Sequence, residues 1–219
     1  MKIYLAAFLL LSLSIFAMAS GDETAPMQEK EFKFKDWTYK NLRDGTDVNL
    51  RSFAKGKKLV LVVYFAAWCP NWHNESSLVE KLYQKYKDKG FDVVAVSEYA
   101  SLDETKKHVN NNKFSFTVVS ESDDAAAKQK TTHYEMRKAA GDTRNWGSPW
   151  NVFLEKGKFK KKGNVLTEKT FVVNGEMIGK EVEAFIRQKL ELPVEAPAQQ
   201  SSIFKKTEVC EPTISLKKP

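Results

Sequence analysis

The feature that most constrains the fold is an apolar run that leads directly into a cysteine at the start of an amphipathic helix. Residues 59–65 are all aliphatic or aromatic, and a continuous run of this kind is typical of a strand buried on both faces. Beyond Cys69, apolar side chains recur about every four residues from Leu78 to Tyr86, which predicts an amphipathic helix. The sequence therefore places the cysteine between a buried strand and a helix N-terminus.

The position of Cys69 has a chemical consequence. Unpaired backbone N–H groups and the positive end of the helix dipole favour a thiolate at a helix N-terminus, so the sequence favours a reactive cysteine. The alternative is a buried, inert thiol, the usual state of a free cysteine in a core. A second cysteine, Cys210, lies near the C-terminus, and spacing alone does not tell whether the two sulfurs meet.

Strand-like and helix-like segments alternate after Cys69. The predicted elements are a strand over 91–96, a helix over 102–111, an extended segment over 114–119, a strand over 150–154, an edge strand over 171–173 and a final helix with Val182, Phe185, Ile186 and Leu190 on one face. Such alternation predicts an α/β fold whose sheet has a parallel core. Residues 131–145 are polar and aperiodic, and we interpret them as a long loop with room for one short helix.

Both ends of the chain differ in composition from its middle. Residues 1–19 have the basic start, apolar stretch and small-residue cleavage site of a signal peptide, so we expect an exported protein, periplasmic if bacterial and otherwise secreted. An uncleaved membrane anchor is the alternative, but the stretch is short for a span, and no stable membrane span is expected after cleavage. Residues 20–31 are interpreted as a flexible lead-in, 32–192 as one domain and 193–219 as a mostly disordered tail.

The residues around Cys69 resemble the thioredoxin superfamily, and more narrowly its exported TlpA-like and ResA-like thiol-disulfide oxidoreductases. The resemblance covers residues 32–192. It rests on a lead-in with a turn at 43–46, on the strand that ends in Trp68-Cys69-Pro70, and on Gly147-Ser148-Pro149 before a further apolar strand. It implies a thioredoxin-like α/β fold: a central mixed β-sheet flanked by helices, with an N-terminal hairpin extension.

The resemblance also implies roles for individual residues. Cys69 would be the attacking thiolate, and Glu75 a proton acceptor near it. Pro149 would be a cis-proline, and the backbone of Ser148 before it would meet the substrate strand. The alternatives are an ordinary exposed helix carboxylate at position 75 and a trans-proline that starts a strand at position 149.

One position departs from the resemblance, because Trp72 stands where the family has its second, resolving cysteine. A dithiol enzyme releases its mixed disulfide by attack of that second thiol, which an indole cannot do. Three hypotheses remain: a monothiol enzyme resolved by an outside thiol, an enzyme resolved by Cys210, and a former enzyme that now serves as a binding module. The tail after Leu192 has an r.m.s. reach of about 23 Å at Cys210, which suffices if the last helix ends near Cys69.

Tryptophans are concentrated at the two turns that carry the resemblance. Four of the five flank either the cysteine turn or the proline turn, namely Trp68, Trp72, Trp146 and Trp150. The fold would make them converge into a groove suited to an extended peptide, although we expect at least two of them to fill the core. The predicted substrate contacts are Trp68, Pro70, Trp72, Ser148 and Trp150. The predicted partners are exported protein thiols or disulfides, or an extended peptide segment.

Composition and motifs argue against several other classes of function. Although the net charge is +7, the sequence contains no nucleic-acid-binding module. The lysine run at 158–162 is interpreted as a solvated hairpin tip. No nucleic-acid partner is therefore expected. A peroxiredoxin-type site needs Pro-x-x-x-Thr/Ser-x-x-Cys, but Val62 and Ala66 occupy the proline and hydroxyl positions.

A metal site is the remaining alternative. Cys69 and His73 share a helical face, and with His133 as a third ligand they would present sulfur and imidazole to copper or zinc. Two ligands at helical spacing occur often by chance, so we prefer a solvated helix histidine at position 73. The sequence predicts no metal and no cofactor.

Overall fold

An eight-stranded mixed sheet forms the frame of the protein, whose computed structural model describes residues 24–193. The strands are β1 (Thr24–Ala25), β2 (Gln28–Lys35), β3 (Thr38–Asn41), β4 (Asp47–Asn49), β5 (Leu59–Phe65), β6 (Phe91–Ser97), β7 (Thr117–Ser120), β8 (Trp150–Glu155), β9 (Val165–Val173) and β10 (Glu176–Met177). The order across the large sheet is β2-β9-β8-β5-β6-β7-β3-β4. Strands β5, β6 and β7 run parallel and the other pairs are antiparallel, while β1 and β10 form a separate two-stranded parallel sheet.

Helices cover both faces of the sheet. They are α1 (Leu50–Ala54), α2 (Pro70–Tyr86), α3 (Leu102–Asn112), α4 (Thr132–Ala139) and α5 (Gly179–Lys189). Helices α2, α3 and α5 contribute to one hydrophobic core, and α1 and α4 contribute to the other. All seven residues of β5 are buried and alternate between the two cores, as expected for a central strand covered on both sides.

Helix α2 begins directly after Cys69 and ends near the other end of the sheet. Pro70 is its first residue, where a missing N–H costs nothing. A 3-10 turn follows the helix, and Gly90 closes it with a φ of 96°, a left-handed conformation that suits glycine. The predicted helix over Leu78–Tyr86 is therefore confirmed.

The N-terminal part of the chain is more regular than expected. Residues 20–31 are predicted as a flexible lead-in, but the described part contains β1 and the start of β2, which pairs with β9 along its length. Because β2 covers the outer edge of β9, the segment 171–173 is interior and not the predicted edge strand. The predicted hairpin is present as β3 and β4, joined by the turn at 43–46.

The segment 131–145 contains the short helix for which the sequence left room, α4, which is capped by the side chain of Thr131. Its buried face includes His133, Met136 and Arg137. Two of those three are polar, so the segment lacks the apolar period by which an amphipathic helix is recognised from sequence.

Two predictions concern parts of the chain beyond the described residues. The signal peptide at 1–19 and the tail with Cys210 lie outside 24–193. Within that range, no helix has the length and apolar character needed to cross a membrane.

Candidate active site

Cys69 is the N-cap residue of α2, at the end of the turn that leaves β5. Its N–H donates to the carbonyl of Ala66 at 2.9 Å, and its own carbonyl accepts from the N–H of His73 at 3.1 Å. The cysteine is 6% exposed. Its sulfur therefore lies at the first turn of a helix, where unpaired N–H groups favour negative charge.

The loop before β8 faces this sulfur. The Cys69 thiol donates to the main-chain carbonyl of Ser148, with 3.3 Å between Sγ and the oxygen. The Ser148 hydroxyl accepts from the N–H of Ala66 at 2.9 Å, which ties the loop to the cysteine turn. The peptide bond between Ser148 and Pro149 is cis, as the sequence resemblance implied.

A surface pocket of about 260 Å³ opens over Cys69. It is lined by Trp68, Cys69, Pro70, Asn71, Arg144, Asn145, Trp146, Gly147 and Ser148. Trp68 is 41% exposed and stands edge-on to Trp146, with ring centroids 5.2 Å apart. The Lys128 ammonium lies 4.2 Å from the Trp146 ring centroid. The pocket thus has an aromatic wall with a cation beside it.

Two of the tryptophans predicted to contact substrate lie in the core instead. Trp72 and Trp150 are fully buried. The Trp72 indole packs on Phe65, and the Trp150 indole N–H donates to Asn174 Oδ1 at 2.9 Å. Helix and strand periodicity turn these side chains away from the pocket, while Trp68 and Trp146 on the adjoining loops remain beside it. The expectation that at least two indoles fill the core is confirmed.

Glu75 is a buried carboxyl group and not the exposed helix carboxylate that was the alternative. It is 3% exposed, and its Oε2 accepts from the N–H of Met177 at 3.1 Å. Burial raises the pKa of Glu75 to about 8, against the smaller lowering effect of hydrogen bonds from Asn151 and Met177. Glu75 is not among the residues that line the pocket over Cys69.

The histidines considered as metal ligands do not assemble around Cys69. His73 Nε2 lies 2.6 Å from the carbonyl of Ala67, and because a carbonyl only accepts, this nitrogen carries a proton. His133 is buried in the core on the opposite face of the sheet, stacked on Tyr64. Over residues 24–193 no group of three His, Cys, Asp or Glu side chains is placed to hold a metal ion.

Helix α5 ends far from Cys69. Lys58, just before β5, donates through Nζ to the carbonyl of Leu190 at 3.2 Å, whereas Cys69 follows the opposite end of β5. Seven residues of strand span about 20 Å. The condition under which the tail reaches Cys69 easily, a last helix that ends nearby, is therefore not met.

Sequence reasoning missed three residues of the site region. Lys128 and Arg144 flank the pocket, and His108 accepts a hydrogen bond from the Trp72 indole. Arg144 lies in the segment interpreted as an aperiodic loop, and Lys128 lies just before that segment. The one available signal was the position of Arg144 shortly before Gly147-Ser148-Pro149.

The fold and the site together define a thioredoxin-like α/β protein. The AhpC/TSA family model matches residues 30–178, and the chain belongs to this family. Among solved structures with the same fold, a secreted thiol-disulfide isomerase from Corynebacterium glutamicum is 16% identical with a TM-score of 0.54, covering 74% of this chain and 92% of that one. A thiol:disulfide interchange protein from Bacteroides sp. is 19% identical with a TM-score of 0.53, covering 76% and 93%.

One curated relative shares a shorter stretch of sequence. It is the Arabidopsis thaliana protein named "Putative glutathione peroxidase 7, chloroplastic", 34% identical over 84 residues, which are 38% of this chain. The match spans about a third of the relative's length, 31%.

Proposed function

We propose that this protein is an exported monothiol thiol-disulfide oxidoreductase that acts on cysteines of exported proteins through Cys69. The observation that carries the proposal is the sulfur at the N-terminus of α2, beneath an open pocket and 3.3 Å from the Ser148 carbonyl. A substrate chain that lies along this loop would bring its own sulfur to Cys69. The signal-like residues 1–19 support export.

The chemistry needs one protein sulfur and one outside thiol. The Cys69 thiolate attacks one sulfur of a substrate disulfide, the old S–S bond breaks, and the other sulfur leaves with the electron pair as a thiolate. A mixed disulfide remains at Cys69. Because position 72 is an indole, a second thiolate from outside the site attacks the mixed disulfide and releases Cys69 as a thiolate. Proton uptake by the leaving thiolate completes the balance.

The distance to the tail leaves Cys210 as an alternative to an outside thiol for the resolving step. Position 193 lies close to the end of α5, near the start of β5, about 20 Å or more along the sheet from Cys69. That span is comparable to the r.m.s. reach of the tail at Cys210, about 23 Å. Resolution by Cys210 therefore requires the tail to return along the sheet.

Glu75 is the proposed proton acceptor, as the resemblance implies. With a pKa of about 8, Glu75 is mostly protonated at pH 7, so only its ionised fraction, which grows as the pH rises towards 8, accepts a proton. Because it does not line the pocket, we propose that it acts from the buried layer behind the cysteine turn.

A non-catalytic binding module is the second candidate. Its specific support is the exposed Trp68 beside Trp146, an aromatic surface that suits peptide binding, together with the lost second thiol. Trp68, Pro70 and Ser148 are the proposed contacts to the partner segment under both functions. In a binding module Cys69 would react no faster than an ordinary exposed thiol.

The test compares the two single-cysteine proteins, Cys210→Ser and Cys69→Ser, with glutathione disulfide as the probe. Intact mass follows the addition of one glutathione to the remaining thiol at pH 7. We expect Cys69 to react about tenfold faster than Cys210, because a helix N-terminus favours the thiolate. Excess reduced glutathione should then remove the adduct. Equal or slower reaction at Cys69, with peptide binding retained, would instead establish the binding module.

Two further measurements test the remaining parts of the proposal. A thiol count on the non-reduced wild-type protein should find two free thiols, whereas none in a monomer would mean a bridge between Cys69 and Cys210. Export predicts that the protein recovered from outside the cytoplasm begins at Ser20, which N-terminal sequencing detects. Recovery of the full-length chain from the cytoplasm alone would exclude export.

A further inference from the structure

Arg137, on helix α4, is a fully buried arginine that sequence reasoning did not single out. Its guanidinium donates through Nη1 to the carbonyl of Arg144 at 2.8 Å and through Nη2 to the carbonyl of Asn145 at 2.9 Å. Asp142, 2% exposed, lies 3.9 Å away and provides the opposite charge. A buried guanidinium is costly unless it is paired and hydrogen-bonded, and here the groups that pair with its two Nη atoms belong to the loop before Pro149.

The same side chain lies directly against Gly147. A Cβ on this glycine would be 2.4 Å from Cδ of Arg137 and 2.8 Å from its Cζ, and the glycine has a φ of 61°. Both the left-handed backbone and the missing side chain are therefore needed for the loop to lie on Arg137. Gly147 is adjacent to Ser148, whose carbonyl accepts from Cys69.

A second arginine, Arg144, binds the C-terminal end of the same loop. Arg144 donates through Nη2 to the carbonyl of Pro149 at 2.7 Å and to Asp142 Oδ2 at 2.8 Å. Asp142 thus connects the two guanidinium groups. Arg137 therefore binds the carbonyls of residues 144 and 145 at the start of this loop, and Arg144 binds the carbonyl of residue 149 at its end.

We propose that Arg137 is a positioning residue of the Cys69 site. It fixes the distance between the Ser148 carbonyl and the Cys69 sulfur, and the site therefore favours extended peptides over small disulfides as substrates. The inference rests on the proposed function. A peptide must lie along the Ser148 backbone while its sulfur reaches Cys69, whereas a small disulfide needs only an open path to the sulfur. Loss of Arg137 should therefore impair peptides far more than small reagents.

The experiment uses Arg137→Met and Arg137→Lys in the Cys210→Ser background, so that Cys69 is the only thiol. The peptide probe is Ala-Ala-Cys-Ala-Ala activated as its mixed disulfide with thionitrobenzoate, and the small probe is 5,5′-dithiobis(2-nitrobenzoate). In both reactions the Cys69 thiolate forms a new S–S bond and thionitrobenzoate leaves as a coloured thiolate. The rate is measured against probe concentration, which separates half-saturation from the maximal rate.

Arg51 offers a matched control. It also donates to main-chain carbonyls of a loop, those of Lys160 and Gly163, and it pairs with Asp36 at 3.0 Å. That loop joins β8 to β9 and is not part of the Cys69 site. Arg51→Met therefore loses the same kind of loop contact without touching the pocket.

For Arg137→Met we expect the half-saturating peptide concentration to rise about tenfold, as for the loss of one or two charge-assisted hydrogen bonds, while the rate with the small probe stays within about twofold. Arg137→Lys keeps one donor group, so its half-saturating peptide concentration should lie between those of the parent protein and Arg137→Met. If Arg137→Met does not fold, Arg137→Lys replaces it in the test. Arg51→Met should match the parent protein with both probes.

Three results would overturn the inference: unchanged peptide kinetics in a folded Arg137 variant, an equal loss with both probes, or the same loss in Arg51→Met. Failure of the proposed function is seen separately, as a parent protein whose Cys69 does not react with the activated peptide. In that case the affinity for the unreactive Ala-Ala-Ser-Ala-Ala peptide replaces the rate. Arg137→Met must then weaken binding about tenfold relative to Arg51→Met, and equal affinities would refute the positioning role.

Discussion

The indole N–H of Trp72 donates to Nε2 of His108, with 2.9 Å between the two nitrogens. Trp72, which stands in the place of a resolving cysteine, is thus hydrogen-bonded to helix α3 and packed on Phe65 and Phe114. Because Nε2 accepts this hydrogen bond, His108 is neutral and carries its proton on Nδ1. Position 72 has become part of the core.

Restoring the second cysteine should therefore destabilise the protein. Replacing a fully buried tryptophan by a small side chain leaves a large cavity, and we expect Trp72→Cys to lower the free energy of unfolding of the reduced protein by about 3 to 5 kcal/mol. Urea unfolding measures this change. Trp72→Phe keeps most of the ring and loses the hydrogen bond to His108, so it should cost only about 1 to 2 kcal/mol. A Cys variant as stable as the Phe variant would show that the site collapses around the smaller residue.

His108 should make the fold sensitive to acid. Burial and the nearby charge of His73 lower the pKa of His108 to about 4 from its ordinary 6.5. Between these values the unfolded chain binds a proton that the folded protein does not, so stability is lost as the pH falls from 6.5 towards 4. His108→Gln keeps a hydrogen-bond acceptor for Trp72 and removes the titration. The unfolding free energy of wild type should fall more steeply than that of the variant in this window, and parallel curves would contradict the assignment.

Glu75 should have the opposite pH dependence. Its pKa is raised from 4.5 to about 8 by burial, so the folded protein keeps a proton that the unfolded chain has lost, and stability falls as the pH rises between these values. Glu75→Gln should therefore gain stability relative to wild type from about pH 4.5 to 8, by on the order of 3 to 5 kcal/mol at the upper end. Chemical unfolding across this range measures the difference.

Glu181→Gln, on the exposed surface of α5, is the matched control and should stay within about 0.5 kcal/mol of wild type. A constant offset between Glu75→Gln and wild type at all pH values would mean that folding does not shift the pKa of Glu75.

Alanine substitutions at Gly147 and Gly141 distinguish the cost of a steric conflict from the cost of backbone strain. Both have positive φ, 61° and 86°, but only at Gly147 would a Cβ meet another side chain, that of Arg137. Gly141→Ala should cost about 1 to 2 kcal/mol from the left-handed backbone alone. Gly147→Ala should cost more, because Arg137 must also move. Thermal or urea unfolding of both variants tests this order, which equal costs would refute.

Much of the fold was accessible from the sequence because its signals are local. The unbroken apolar run at 59–65 can be satisfied only by a strand covered on both faces, and the helical period after Cys69 identifies α2. The turn at Gly147-Ser148-Pro149 is identified by the resemblance to the thioredoxin superfamily, which implies that the backbone of Ser148 meets the substrate strand. Local patterns thus predict the strand, the cysteine and the helix N-terminus, and the resemblance adds the facing turn.

The tertiary structure decided what depends on distant partners. The segment 171–173, predicted as an edge strand, is interior because β2 pairs with it. Helix α4 has only a weak sequence signal, because its buried face includes the polar residues His133 and Arg137. Burial likewise gave Glu75 its raised pKa. Local sequence patterns determine which residues prefer helix, strand or turn, whereas packing between distant segments determines which of them are buried and which groups meet at the site.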